Sequence, residues 1–227
     1  RDKNVAASYD SRRSKGIKSS LVRIMERRAV LNLLPAGKIN ILEAGVGTGY
    51  FTEILARRGK LDGVDISKEM LDILRSKIKN VHLKQADILS FTTQKKYDCI
   101  VSVRVISHFN KKVAYAALSN LSKSLKINGE IIFNLENPSV IRRIMRKMTN
   151  WGSTYTYQYS KEDINYILNS ARLEISREIY TDHLVLYPLH LLNKLSCGFF
   201  TNAILRMEKS LENFKFSSAN VFLRCKK

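Results

Sequence analysis

Negative charge is what this sequence has least of. Twenty Asp and Glu stand against 39 Lys and Arg, a formal net charge of +19 with a pI near 10.0. A surplus of that size concentrates polyanions, so nucleic acid, an anionic membrane and a phosphorylated substrate are all open as partners; a merely solubilising lysine surface stays open beside them. Cysteine is scarce too. Cys99, Cys197 and Cys225 are odd in number, far apart and form no CxxC pair. That argues against a disulfide framework or a zinc site and for a reducing, cytoplasmic compartment. The four histidines lack HExxH spacing, so no metal is expected. Residues 1–15 are basic and polar with no apolar core, so no signal peptide is expected. Nor is there a clean apolar run. Leu184–Leu205 has the length of a membrane span, but Pro188, His190, Asn193, Lys194 and Asn202 interrupt it. The segment is expected to be buried or docked on a surface.

What is present suits one domain spanning 1–227: the chain has 227 residues, 44% hydrophobic, enough to bury a sizeable core. Apolar residues at helical spacing run from Ser20 to Leu34 and stop at Pro35-Ala36-Gly37. Strand and helix patterns then alternate. Strands are expected at 39–45, 60–66, 81–88, 97–106 and 130–136, and helices at 50–59, 67–78 and 111–126. Ser67 can cap the second of these helices, Gly59 closes the first, and Asn128-Gly129 makes a turn. The alternation predicts a parallel sheet with helices on both faces, and near-continuous apolar strands such as "DCIVSV" fit burial on both sides. Past Glu136 the pattern loosens. A basic amphipathic helix is expected at 139–149, a helix entered through Ser160 and Asp163, and two further strands at 173–180 and 216–226. Insertions are expected at about 137–159 and 182–215.

The chemistry concentrates in "INILEAGVGTGYF". Gly45, Gly47 and Gly49 follow a strand and precede a helix, the setting of a nucleotide-binding turn. No Lys-Ser or Lys-Thr follows, which excludes a Walker-type phosphate loop, and Tyr50 stands where the dinucleotide fingerprint needs glycine. Glu43 would repel a pyrophosphate, but it suits a ligand carrying an ammonium or a sulfonium. S-adenosylmethionine carries both. Asp65, 16 residues after Gly49, stands where an acid can take two ribose hydroxyls. Asp87 can accept from an adenine amino group, with Ile88 beside the ring. Taken singly, Asp65 also reads as a helix cap and Asp87 as a turn residue; three acids at successive strand ends beside a glycine loop are harder to explain that way.

The ordered set "EAGVGTG", "GVDISKEML", "QADIL", "YDCIVSVRVISHF" and "LKINGEIIF" resembles the class I S-adenosylmethionine-dependent methyltransferases, and most of all their small-molecule branch of the ubiquinone/menaquinone biosynthesis type. The resemblance covers about residues 5–136 and, loosely, 155–180. It implies a Rossmann-like α/β fold: a seven-stranded, mostly parallel sheet with its last strand antiparallel and helical lids. It implies S-adenosylmethionine as cofactor, with Glu43, Gly45, Gly47 and Gly49 around the methionine part and Asp65 on the ribose. Ile66 and Met70 would flank the adenine, Asp87 and Ile88 take its edge, and Ser102 line the pocket. Two departures stand out: "LKING" replaces an LKPGG turn, and Arg104 occupies a position where the family usually has a small or neutral residue.

Methyl transfer from a sulfonium is an in-line displacement driven by alignment and exclusion of water. A base is needed only for a protonated nucleophile, and His108 is the best-placed candidate. Tyr9, in "ASYDSRR", resembles the family's N-terminal segment that closes over cofactor; Arg12 and Arg13 behind it suit a substrate carboxylate or phosphate, or a solvated helix. The (N/D)PP(Y/F) motif of amino-directed DNA methyltransferases and the Pro-Cys nucleophile of cytosine-C5 enzymes are both missing after the fourth strand. A small hydrophobic or anionic acceptor is therefore favoured over nucleic acid. The alternatives are an RNA methyltransferase or a polyanion-binding protein on the same scaffold, as monomer or homodimer. Trp151, Tyr155, Tyr157 and Tyr159 would roof the acceptor, with Tyr157 and Arg104 touching it. Helix 139–149 has the makeup of an interfacial helix on anionic membrane lipid, or of a lid with a solvated basic face.

Overall fold

A computed structural model describes residues 17–137, 157–183, 186–196, 198–215 and 218–227. Its elements are α1 (Ile17–Leu33), β1 (Ile39–Ala44), α2 (Thr52–Ala56), β2 (Gly59–Asp65), α3 (Lys68–Lys77), β3 (His82–Gln85) and β4 (Tyr97–Ser102). A 3₁₀ turn over Ile106–His108 follows, then α4 (Lys111–Ser122), β5 (Leu125–Glu136), α5 (Lys161–Ser170) and β6 (Glu174–His183). The chain ends with α6 (Tyr187–Leu195), α7 (Thr201–Ser210) and β7 (Ser218–Lys226). The expected helix at 139–149 lies outside the described residues, as do Trp151, Tyr155, Tyr9, Arg12 and Arg13.

The described strands form one sheet in the order β3-β2-β1-β4-β5-β7-β6. Strand β7 runs antiparallel to both of its neighbours, and every pair from β3 to β5 is parallel. The strands read as unbroken apolar runs because both faces are covered. Successive residues alternate between two cores, as the period of a strand requires. Leu42, Ile100, Ile131 and Phe133 pack with Ala114, Leu118 and Leu121 of α4 and Ile167 and Leu168 of α5. Ile41, Cys99, Val101, Ile132 and Phe222 pack on the other side with Ala29, Val30 and Leu33 of α1 and Ile54 and Leu55 of α2.

Several boundaries differ from the sequence expectation, each for a local reason. Gly59, expected to close a helix, is the first residue of β2. At φ +155° its Cβ would lie 1.9 Å from the Ile39 carbonyl oxygen, so only glycine lets the two strands start together. Strand β3 stops at Gln85 because Asp87 turns the chain, accepting from the Leu89 N–H at 2.9 Å. Strand β4 stops at Ser102 because Arg104 adopts φ +59°. Helix α4 ends at Ser122, and β5 begins at Leu125 and runs through Asn128-Gly129; the expected turn is instead a register shift in the pairing with β4, with Asn128 at φ +61°. The expected caps are present: Ser67 accepts from the Met70 N–H, and Ser160 and Asp163 form a reciprocal capping box.

The strand order reverses between β1, which leads to β2 and β3, and β4, which leads to β5. In open α/β sheets the crevice at the carboxyl ends of two such strands is where ligands bind. The residues singled out in the sequence converge there.

Candidate active site

Strand β1 delivers Glu43 and then the turn Gly45–Tyr50, which is pinned to β2 by Gly45 N–H and Val46 N–H donating to the Val64 carbonyl at 2.8 and 3.1 Å. Gly45 has φ +88°, and a Cβ there would strike the Val105 methyl at 2.3 Å, so the turn lies directly against the loop after β4. Gly47, at φ +52°, faces open space: a Cβ would meet nothing within 4 Å. One glycine lets protein pack closely; the other leaves bare backbone for a ligand.

Glu43 is almost wholly buried, and its Oε2 accepts from the Thr52 hydroxyl at 2.6 Å. Burial pushes its carboxyl up to about 8; the Thr52 hydrogen bond opposes the rise and the Asp65 charge adds to it. A buried acid in that condition favours a cation that would let it ionise. Asp65, at the end of β2, accepts from the Gly47 N–H at 2.8 Å and from the Ser67 N–H at 2.9 Å. It therefore ties the glycine turn to the start of α3, combining the capping role with a place beside the open face of Gly47. Ile66 next to it is 61% exposed, while Met70 is buried beneath. Asp87 and Ile88 follow at the end of β3, with the Ile88 carbonyl held by the Asn120 amide at 3.0 Å. Ser102 is buried, and its hydroxyl donates to the Ala44 carbonyl at 2.9 Å, joining β4 to β1. The structure thus gathers Glu43, Gly45, Gly47, Gly49, Asp65 and Ser102 at the carboxyl ends of the central strands, with Ile66, Met70, Asp87 and Ile88 continuing along the same side.

The residues expected to meet an acceptor divide. Arg104 lies at the rim, where its backbone N–H donates to Asn134 Oδ1 at 2.6 Å. Its guanidinium is committed to Glu26 of α1, with Nη2 at 2.6 Å and Nε at 2.9 Å from one carboxylate oxygen. The charge that looks unusual in the sequence is neutralised by a buried partner 78 residues away. His108 sits exposed on the 3₁₀ turn. Tyr157 joins that turn, its N–H donating to the Ser107 carbonyl at 2.8 Å, and its ring meets Tyr159 edge-on at 4.8 Å. Tyr159, expected in the roof, is instead buried: its hydroxyl donates to the carbonyls of Ile106 and Phe109.

Sequence reasoning misses four contributors. Thr52 is the first residue of α2, just after the glycines, where its hydroxyl reaches back to Glu43. Glu26 is legible only as a lone acid in a basic helix. The spacing of Arg23 and Arg27 puts them on the solvent face of that helix. Arg23 instead stacks 3.8 Å from the centroid of the Tyr50 ring, with Arg27 at 5.6 Å, next to the last glycine of the turn. Burial raises the Tyr50 phenol, and Arg23 opposes the rise.

Part of the chain is similar to known proteins. Residues 41–129 match the family model of a methyltransferase domain. Over 102 residues the chain is 31% identical to malonyl-[acyl-carrier protein] O-methyltransferase of Priestia megaterium, which is 43% of this chain and 36% of that protein. It is 33% identical over 92 residues to an uncharacterised methyltransferase of Alkaliphilus oremlandii, covering 40% of this chain and 43% of that one. The matches thus span less than half the length of these curated relatives. In fold, the chain is similar to magnesium protoporphyrin IX methyltransferase from Synechocystis PCC 6803, solved with S-adenosylhomocysteine (TM-score 0.66, 17% identity, 99% and 97% of the two chains). It is similar also to an S-adenosylmethionine-dependent methyltransferase from Thermotoga maritima, described as a possible histamine N-methyltransferase (TM-score 0.65, 20% identity, 98% of each). Residues 41–129 are thus similar in sequence to a methyltransferase domain, and the chain as a whole shares the fold of these S-adenosylmethionine-dependent enzymes.

Proposed function

We propose that the protein transfers the methyl group of S-adenosylmethionine to a small hydrophobic or anionic acceptor, working as one catalytic domain covered by its insertions at 137–159 and 182–215. The observation that carries the reading is Glu43: a carboxyl buried at the end of β1, raised to about 8, beside a glycine turn whose middle residue faces open space. That combination disfavours a pyrophosphate and rewards an ammonium or sulfonium.

The donor, when bound, supplies a carbon already activated by its sulfonium. The residues of this chain hold and orient. Glu43 ionises against the positive end of the donor while Thr52 steadies its other side. Asp65 keeps the Gly47 backbone in place and offers its oxygens at the edge where a ribose would lie. The exposed face of Ile66 suits a flat ring, with Asp87 at its edge. Ser102 fixes β4 against β1, so the two strand ends that frame the reaction do not part. His108 is the base where the acceptor arrives protonated, and Tyr157 borders the same turn.

An anionic acceptor is supported by the arginines of the rim. Arg23 and Arg27 lie over the Tyr50 ring at the end of the glycine turn, while Arg104 on the neighbouring loop is paired with Glu26. Two of the similar proteins are named for malonyl-[acyl-carrier protein] and for magnesium protoporphyrin IX. The alternative of RNA methylation or polyanion binding draws no support from these relatives. A reducing, cytoplasmic setting belongs to the same reading, since Cys99 and Cys225 are buried free thiols. Titration of S-adenosylmethionine into the protein by calorimetry tests the proposal: one saturable site is expected, weakened at least about tenfold by Asp65→Ala, and no saturable heat refutes it.

A further inference from the structure

Helix α6 is turned inside out. Pro188, Leu191, Leu192 and Leu195 recur at the spacing of a single helical face, and that face points to solvent. Leu191 is 53% exposed, Leu192 49% and Leu195 73%, and Phe199 in the following turn is 82% exposed. The polar residues face inward. His190 is 4% exposed and Asn193 0%, with the Asn193 amide donating to the Thr201 hydroxyl at 3.2 Å and its backbone carbonyl accepting from the Gly198 N–H at 2.8 Å. A surface helix of a water-soluble domain ordinarily has the reverse arrangement. Contiguous exposed leucines and a phenylalanine mark a surface that meets something apolar.

The hairpin of α6 and α7 is firmly mounted. Ile204 packs with Leu21 and Met25 of α1, and the Leu205 carbonyl accepts from Arg28 at 3.1 Å. The apolar stripe is therefore presented on an anchored platform. Its charge setting points to the occupant. Between residues 186 and 215 the sequence has Lys194, Arg206, Lys209 and Lys215 against Glu208 and Glu212, and Glu208 is buried. Lys215 is taken up by Glu178 at 2.6 Å, while Arg206 and Lys209 stand exposed on α7. A second copy would bring one chain of formal charge +19 against another. An anionic lipid surface answers both the apolar stripe and the positive charge. The two helices have 9 and 10 residues, and no described helix is long and apolar enough to cross a membrane, so the contact is one of lying on the surface.

We propose that the α6–α7 hairpin docks on an anionic lipid bilayer, seating Leu191, Leu192, Leu195 and Phe199 at the acyl boundary while Arg206 and Lys209 meet headgroups. The docking needs no cofactor, so it stands or falls separately from methyl transfer. The test is flotation of the full chain with vesicles of phosphatidylcholine alone or mixed with phosphatidylglycerol, at low and high salt. The anionic vesicles are expected to carry at least about tenfold more protein, with the excess lost at high salt. The double variant Leu195→Gln/Phe199→Gln should lose at least about tenfold of that binding. Its circular dichroism and melting should stay those of the parent, because both side chains are exposed. Equal or negligible binding to the two vesicle types overturns the proposal, as does anionic binding that the double variant retains. A wild-type dimer in sedimentation that the variant dissociates would give the stripe to a second copy, and overturns it too.

Discussion

Replacing Glu43 with Gln should make the free protein more stable and a worse binder of its cofactor, and the two effects have one cause. The Glu43 carboxyl rises from 4.5 in the unfolded chain to about 8 in the folded one because the fold buries it. Between those values the folded chain holds a proton that the unfolded chain has released, so stability is full below 4.5, falls as pH climbs toward about 8, and is level above. At 1.36 kcal/mol per pH unit, the wild type carries a penalty of about 3 kcal/mol at pH 7 and about 5 kcal/mol above pH 8. Gln keeps a carbonyl oxygen for the Thr52 hydroxyl and has no proton to lose, so its stability should be flat over the same window. For a chain of this size the gain at pH 7 corresponds to about 6–12 °C in melting temperature. The same substitution removes the anion that the donor's ammonium or sulfonium is proposed to meet, an attraction of about 4 kcal/mol at short range in a partly wet site. Thermal melts at pH 5, 7 and 9 and calorimetry with S-adenosylhomocysteine measure both sides. A variant that melts at or below the wild type from pH 7 to 9, or that binds as tightly, refutes the reasoning.

Other perturbations follow from the same geometry. Asp65→Ala removes the acceptor for both the Gly47 and Ser67 N–H groups, and a loss of about 1–3 kcal/mol in urea denaturation is expected beyond its effect on binding. Arg104→Ala leaves buried Glu26 without its arginine and should cost about 3 kcal/mol; Arg104→Gly should be the less damaging of the two, because φ +59° suits glycine. Glu208 of α7 is pushed up to about 7 by burial against β6, whose last residue His183 donates its N–H to it at 2.8 Å. Glu208→Gln should therefore stabilise the chain progressively as pH rises from 4.5 to about 7, seen as converging wild-type and variant melts at pH 4 and diverging ones at pH 8. Tyr159→Phe strips a hydroxyl from the carbonyls of Ile106 and Phe109, and should lower stability by about 1–2 kcal/mol while loosening the turn that carries His108.

Strands are the most legible part of the chain. Runs such as "DCIVSV" are apolar on both sides because cores lie on both faces of the sheet, and the parallel pairing of β1 to β5 follows from the alternation of strands with helices. Their ends are less legible. Arg104 takes a left-handed conformation that no propensity assigns to arginine, and it is held there by Asn134 and Glu26, distant residues that meet it only in the fold. In the candidate site, Glu43, the glycines and Asp65 can be read directly because strand, turn and acid are close in sequence. The pairing of Arg104 with Glu26 and the stacking of Arg23 on Tyr50 cannot, being contacts between α1 and loops far along the chain. The leucines of α6 have the spacing of one helix face, and of the two sequence expectations for them, burial or docking, the structure rules out burial.

The measurement that bears most directly on the account is calorimetric titration of S-adenosylhomocysteine into the wild-type chain at pH 7, in two buffers of different ionisation enthalpy. One saturable site per chain is expected, with a proton released as Glu43 ionises against the ligand's ammonium. Saturable binding with no proton release would contradict the role given to Glu43, and no saturable binding would contradict the methyltransferase site itself.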